Sequence, residues 1–247
     1  RQQYTNEVRA ADLVERMMAA KRQGVEAIFV PEPVSTDRGL LNDDGSPGEL
    51  LLPWRTTALA LAGTEYLGSM SLPGGSQNDV FVREGEAIMF AWNARDEREQ
   101  IYLGDAVQQR DIWGRTMTPA VAQGQQIIEV GPLPTIITGM SAPVARWRMS
   151  VDFGRRQLPS VFGQPHAETL RFKNHFPSGA GGRVTITAPE EWIVSPSTFE
   201  FELAAGEEAE LPMTILFASD ANSGPLQVRI DFELNAEHPY KFSCYRR

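Results

Sequence analysis

Carboxylate and carboxamide side chains are concentrated between residues 37 and 49. Asp37, Asn42, Asp43, Asp44 and Glu49 supply the oxygen ligands that Ca²⁺ prefers. Their spacing does not match the EF-hand loop, which requires a glycine and a terminal glutamate at fixed positions. An Asn-Asp-Asp-Gly run is also typical of a tight turn, because these residues tolerate the left-handed backbone conformation. We therefore predict a turn here, and no metal site.

Tryptophan side chains offer a different chemistry, because a flat aromatic face can stack on a sugar ring. Trp54 stands at the start of a predicted helix, next to the loop over residues 31–53, and is the best candidate for substrate binding. The other four tryptophans lie in alternating apolar patterns, which favour packing in a hydrophobic core. They are Trp92, Trp113, Trp147 and Trp192.

The remaining reactive side chains form no recognisable constellation. The three histidines are far apart in the sequence, and no serine lies in a G-x-S-x-G nucleophile motif. Cys244 is the only cysteine, which excludes an intrachain disulfide and a cysteine-based metal cluster. We expect no catalytic residue and no cofactor in this chain.

The first 66 residues have the pattern helix–strand–helix. Apolar residues from Val8 to Met18 recur at helical spacing, Thr5 or Asn6 can cap the start, and Gly24 can end the helix. Residues 25–30 form a short apolar run that predicts a buried strand of a parallel β/α unit. Residues 54–66 predict a second helix, preceded by a proline that suits a first helical turn.

After Leu67 the pattern changes to short strands separated by Gly, Pro and Asn. We predict an antiparallel β-sandwich over residues 67–153, which includes a strand at 144–151, and a linker over 154–166. Six or seven further strands over 167–247 are typical of an immunoglobulin-like sandwich. The predicted fold class is therefore mainly β, with two antiparallel β-sandwich domains, the second Ig-like, preceded by the helix–strand–helix segment over 1–66.

Charge and hydropathy exclude two classes of partner. The net charge is −9 and no basic patch is visible, so we expect no nucleic acid as partner. No apolar run approaches the ~20 residues that span a bilayer.

The chain begins at Arg1 directly before a helical pattern, from which we expect a removed leader or a longer parent protein.

Residues 183–234 contain a spaced pattern of apolar residues, prolines and glycines. Its members are Pro189, Trp192, Val194, Pro196, Phe199, Leu203, Gly206, Glu207, Leu211 and Gly224. With this pattern the segment resembles the Ig-like module that accompanies carbohydrate-binding and catalytic domains in bacterial α-galactosidases and related hydrolases. The resemblance implies a spacer or accessory role, and it brings no catalytic residues. The sequence departs from the pattern after Glu233, where residues 235–239 precede a last strand.

Two further patterns lie in the N-terminal part. The first consists of Gly39, Leu40, Leu41, Asp44, Gly45, Pro47 and Arg55, and the second of Ala91, Trp92 and the ranges 111–114 and 133–139. The first resembles the end of a bacterial (β/α)₈ glycoside hydrolase barrel, and the second resembles the β-sandwich that commonly follows such a barrel. The earlier strands of such a barrel, which usually carry its catalytic carboxylates, are not part of this chain.

Together these features predict a non-catalytic C-terminal accessory region of a carbohydrate-active protein. It would stabilise and space an N-terminal catalytic barrel of the same protein, which would be extracytoplasmic. The resemblance places Glu32 at the end of the last barrel strand, where barrel active sites lie, so Glu32 and Trp54 are the predicted substrate contacts. The alternatives are a carbohydrate-binding module and a structural Ig-like cell-surface protein.

Overall fold

The computed structural model describes residues 5–35, 39–155, 157–159, 161–219, 224 and 226–246. It divides into two compact units. Unit 1 comprises Arg1–Met70 and Gly74–Ala142, and unit 2 comprises Ser71–Pro73 and Pro143–Arg247. Antiparallel sheets dominate both, which confirms the predicted mainly-β fold class. The positions of the predicted domain boundaries and the Ig-like character of the second sandwich stay predictions.

Helix α1 (Asn6–Arg22) begins and ends at the predicted signals. The Thr5 hydroxyl accepts a hydrogen bond from the backbone N–H of Val8 at 3.4 Å, which caps the first turn. Gly24 follows the helix with a φ of +73°, a conformation that costs glycine little. The buried side chains of α1 are Ala10, Val14, Met17 and Met18.

Residues 25–30 do not form the predicted buried strand, so the helix–strand–helix order is wrong at its central element. The segment is irregular, and 44% of Val25, 42% of Ile28 and 85% of Phe29 is exposed. A buried strand needs a neighbour for its backbone N–H and C=O groups. None of the strands in the described ranges pairs with residues 25–30. The apolar pattern is therefore present without the partner that it requires.

The polar run at residues 42–46 is a tight turn, as predicted. Asp44 Oδ1 accepts the backbone N–H of Ser46 at 2.9 Å, and Asn42 donates to the Ser46 hydroxyl at 2.8 Å. Gly45 has a φ of +79°, which the turn requires.

Helix α2 (Leu51–Leu61) is shorter than predicted. The sequence pattern placed its end near Tyr66, but Gly63 adopts a φ of +67° and the chain leaves the helix before it. Tyr66 belongs instead to the first strand, where it pairs with Phe81. Strand pairing has overridden an apolar spacing that fits a helix equally well.

Unit 1 contains a six-stranded sheet of order β1-β2-β3-β9-β5-β6 and a three-stranded sheet of order β4-β8-β7, with all pairs antiparallel. Its strands are β1 (Glu65–Gly68), β2 (Gln77–Arg83), β3 (Glu86–Trp92), β4 (Glu97–Ile101), β5 (Gln108–Arg110), β6 (Thr116–Met117), β7 (Ala120–Ala122), β8 (Gln125–Val130) and β9 (Thr135–Ser141).

Both helices of unit 1 share one hydrophobic core with the six-stranded sheet. Val14 and Met18 of α1 and Leu61 of α2 are buried in the same cluster as Phe81 of β2 and Phe90 of β3. Phe81 and Phe90 meet edge to face, with ring centroids 5.9 Å apart. The core therefore fixes α1 over the face of the sheet that carries these two rings.

Unit 2 holds two four-stranded antiparallel sheets, of order β10-β11-β15-β13 and β14-β12-β16-β17. Its strands are β10 (Asp152–Phe153), β11 (Pro165–Lys173), β12 (Ala180–Thr187), β13 (Trp192–Ser195), β14 (Thr198–Leu203), β15 (Glu208–Phe217), β16 (Val228–Asn235) and β17 (Pro239–Arg246).

The predicted strand at residues 144–151 is wrong, because helix α3 (Ala142–Ser150) occupies this position. Pro143 has the fixed φ of a first helical turn and lacks the N–H that such a turn leaves unpaired.

No helix among the described residues is long and apolar enough to cross a membrane.

Trp147 of α3 lies in the centre of an aromatic cluster and is fully buried, which confirms its predicted core role in a different element. Its ring centroid lies 5.4–6.3 Å from those of five phenylalanines of unit 2. These are Phe172, Phe176, Phe201, Phe232 and Phe242.

We predict that Trp147→Ala lowers the free energy of unfolding of unit 2 by about 3–5 kcal/mol, because it leaves a large cavity among packed rings. Urea unfolding followed by circular dichroism measures the loss. Ile193→Ala in the same unit is the control, since 60% of Ile193 is exposed and its truncation changes stability by no more than about 0.5 kcal/mol. Equal effects of the two variants would contradict the central role of Trp147.

Candidate functional site

Unit 1 has a concave pocket of about 300 Å³ where the apolar face of its sheet becomes polar. Gln77, Asp79 and Phe81 are alternate residues of β2, so their side chains share one face. Across the ladder, Trp92 of β3 lies opposite Gln77. Phe81 belongs to the core under α1, whereas Gln77 and Asp79 line the pocket together with Arg22 at the end of α1.

Asp79 is the most deeply buried charge of the pocket, with only 5% of its side chain exposed. The Tyr66 hydroxyl donates a hydrogen bond to Asp79 Oδ1 at 3.2 Å. Arg22 Nη1 lies 3.5 Å from Oδ1 and 3.4 Å from Oδ2, and 44% of the Arg22 side chain is exposed. Oδ2 makes no hydrogen bond within the described part of the chain. A desolvated carboxylate oxygen that accepts no hydrogen bond is costly, so its presence in the pocket calls for an explanation.

The pKa of Tyr66 is raised above its ordinary value. Partial burial is the main cause, because it disfavours the phenolate, and the negative charge of Asp79 adds to it. Arg22 acts in the opposite direction. Tyr66 therefore keeps its proton at neutral pH and serves as a donor to Asp79.

An aromatic side chain forms another part of the pocket. The Trp92 indole N–H donates to Gln77 Oε1 at 3.0 Å, which orients the Gln77 amide. Trp92 is half-buried: it packs against the hydrophobic core and also lines the pocket. The predicted core role of Trp92 is confirmed, and its position in the pocket is an addition to it.

Two buried polar side chains hold the rim of the pocket. Asn78 bonds both to the backbone N–H of Met70, at 2.9 Å, and to its carbonyl, at 2.7 Å. Glu99 accepts the backbone N–H groups of Gly74 and Ser76 at 2.6 and 3.0 Å. Both bonded pairs satisfy backbone groups that would otherwise be buried without partners, so the rim is preformed.

The residues predicted from sequence lie elsewhere. Glu32 is exposed in the irregular segment after residue 30. Trp54 is half-buried in α2 and packs against the core of unit 1, and its indole N–H is buried without a hydrogen-bond partner among the described residues. Neither lines the pocket. Their contact with a substrate stays a prediction.

Among the described residues, the acidic side chains weighed as calcium ligands are not grouped as metal ligands would be. Asp44 is engaged in its turn, where hydrogen bonds from Ser46 lower its pKa. Asp37 lies outside the described residues. Within those residues, no three His, Cys, Asp or Glu side chains are grouped as metal ligands would be.

The pocket has a sequence signal that apolar periodicity does not reveal. Strand β2 is paired from Gln77 onwards, and its first residues are polar. Asp79 stands between Asn78 and Val80 in a strand whose interior is buried throughout. A carboxylate inside such a run is the informative exception, because buried charges require a partner or a function.

No family model matches the chain, and neither does any curated protein. One solved structure that resembles it is a family 39 glycoside hydrolase from the gut symbiont Bacteroides cellulosilyticus WH2, at 20% sequence identity and a TM-score of 0.43. The matched region covers 54% of this chain and 30% of that one. The chain is thus similar in part to a glycoside hydrolase, and a likeness of this size assigns no activity.

We predict that Asp79→Asn lowers the pKa of Tyr66, because it removes a negative charge that raises it. The ring-carbon NMR shift of Tyr66 against pH measures this, and Tyr66→Phe assigns the signal. The stability that depends on protonated Tyr66 is fully present below a pH of about 10, the pKa of an unfolded-state tyrosine. It is lost as the pH rises through the raised pKa of the folded state.

Asp12→Asn is a matched control on the same helix as Arg22. Asp12 is an exposed carboxylate paired with Arg16 at 2.9 Å. It lies about 15 Å along the helix axis from Arg22. Its substitution leaves the pKa of Tyr66 unchanged. A Tyr66 titration that responds equally to both variants would contradict the assigned pair.

Proposed function

We propose that this chain is a non-catalytic accessory region of a carbohydrate-active protein, and that it packs against a catalytic barrel of the same protein. The supporting observation is the exposed apolar segment at residues 25–30. The barrel resemblance of residues 39–55 and the module resemblance of residues 183–234 give the proposal its protein class. The same resemblance supports an extracytoplasmic location.

The exposed segment supports a missing neighbour rather than an ordinary loop. Val25, Ile28 and Phe29 are of the residue types that favour a buried strand, and 51% of Val34 is exposed as well. Burying one such side chain contributes about 1.5–3 kcal/mol, so contiguous exposure is costly and usually marks an interface. In a barrel, residues 25–30 would pair as a strand between α1 and α2, in the order of a β/α unit, and the barrel would supply the strands on either side.

The requirements of glycoside hydrolysis support the accessory role. Most glycosidases use two carboxyl groups about 5–9.5 Å apart on either side of the scissile bond. Among the described residues that line the pocket, Asp79 is the one carboxylate, and Arg22 lies beside it. The interior of unit 2 is filled by the aromatic cluster around Trp147, which suits a rigid spacer.

We predict no turnover when the purified chain is assayed with aryl glycosides and polysaccharides, because the described residues that line the pocket include a single carboxylate rather than an acid–nucleophile pair. Release of nitrophenol or of reducing sugar is the measurement. Turnover that survives repeated purification and is abolished by Asp79→Asn would contradict the accessory role.

The packing against a barrel is tested by Phe29→Asp in two settings. In the chain of residues 1–247, the free energy of unfolding of the variant lies within about 0.5 kcal/mol of that of the parent, since 85% of Phe29 is exposed. In the product of the whole reading frame, the substitution lowers the free energy of unfolding by about 2 kcal/mol or more, because the aspartate would be buried without a partner. Thermal melts with and without the upstream sequence measure both values.

Val121→Asp is the matched control, because Val121 is an apolar residue of the same unit with 64% exposure. It shows a small effect in both settings. An upstream sequence without β/α units, or a Phe29 variant whose effect is the same in both settings, would overturn the proposal.

A further inference from the structure

The pocket of unit 1 is balanced in charge. Among the described residues that line it, Arg22 and Asp79 are the charged ones, and they form an ion pair with each other. An anion would be repelled by the buried carboxylate, and a cation would compete with the guanidinium already beside it. The pocket therefore favours a neutral ligand.

The polar groups offer both donors and acceptors over a short span. Asp79 Oδ2 is an acceptor without a hydrogen bond, in a side chain that is 95% buried and lines the pocket. Arg22 supplies N–H donors from the exposed side, and the Gln77 amide is held at the rim by Trp92. Neighbouring hydroxyl groups on one ring match such a set, because each hydroxyl can donate to a carboxylate and accept from a guanidinium.

Aromatic rings complete the recognition surface. Tyr66 and Trp92 both line the pocket, and 39% of Tyr66 is exposed. Their rings offer apolar faces to the C–H groups of a sugar. A volume of about 300 Å³ lies at the lower end of the range of ligand pockets, which suits a single ring rather than a chain.

We propose that this pocket binds one neutral sugar ring, with Asp79 accepting from its hydroxyls, Arg22 and Gln77 bonding to neighbouring hydroxyls, and Tyr66 and Trp92 contacting its apolar face. The rim held by Asn78 and Glu99 is preformed, so binding requires little reorganisation. This goes beyond the accessory role, since it is argued from the pocket and not from the segment at residues 25–30.

The test is a binding panel with the purified chain, using glucose, galactose, mannose, xylose and N-acetylglucosamine as neutral sugars. Glucuronate and glucosamine are the anionic and cationic counterparts. Ligand-observed NMR and calorimetry should give a dissociation constant on the order of 1 mM for at least one neutral sugar. Its binding should be about tenfold or more tighter than that of either charged sugar. The indole N–H signal of Trp92 should shift on binding.

Two matched pairs of variants locate the site. Asp79→Asn keeps the shape of the side chain and should weaken binding about tenfold, because charge-assisted hydrogen bonds are the strong ones. Asp12→Asn on the exposed face of α1 should leave binding unchanged. Tyr66→Ala should weaken binding, because it removes the ring that contacts the sugar, whereas Tyr102→Ala should not, although Tyr102 also bonds to an aspartate, Asp105, at 2.9 Å.

Gln77→Ala keeps the test decisive if Asp79→Asn fails to fold, because Gln77 is exposed and its truncation leaves the core intact. It should weaken binding about threefold or more. The proposal is overturned if no neutral sugar binds, if a charged sugar binds more tightly, or if binding is indifferent to the pocket variants. None of these results bears on the Phe29 experiment, so the two proposals fail separately.

Discussion

The packing of α1 on the six-stranded sheet determines the architecture of unit 1. Val14 and Met18 are buried in the same core as Phe81 and Phe90, so the helix is held over one face of β2 and β3. The apolar stripe on α1 ends before Arg22, and on the same face of β2 the residues that precede Phe81, Gln77 and Asp79, are polar. Because both elements lose their apolar side chains at the same place, Arg22 arrives beside Asp79, and the pocket is the polar continuation of the core.

This arrangement explains how a carboxylate is tolerated in a strand whose interior is otherwise buried. Desolvation of Asp79 is offset by the Tyr66 hydroxyl and the Arg22 guanidinium, although neither contact is short. The structure thus holds a charge in a partly satisfied state, and evenly spaced hydroxyls of a ligand would complete it. A site made only for stability is served better by an apolar residue at position 79, since replacing buried ion pairs by packed apolar groups is often neutral or stabilising.

Sequence patterns predicted the elements whose signals are local. The Thr5 cap, the Gly24 stop and the turn at Asn42–Ser46 each depend on side chains within a few residues, and all three occur as predicted. Patterns failed where only the spacing of apolar residues could distinguish a helix from a strand. Residues 144–151 alternate like a strand, but 144–150 belong to helix α3, which has Pro143 in its first turn. The pocket was missed because its residues are far apart in sequence, and only the pairing of β1, β2 and β3 brings Tyr66, Asp79 and Trp92 together.

The strand predicted at residues 25–30 is absent for a different reason, and the proposed function depends on this segment. Elsewhere the structure replaces one regular element with another, whereas here an apolar, β-branched run lies exposed with no regular structure. Backbone pairing and burial are both non-local, so a strand sequence without neighbours has nothing to form against. If the neighbours are the strands of a barrel, unit 1 contributes one face to that barrel through residues 25–30 and another to a ligand through Asp79.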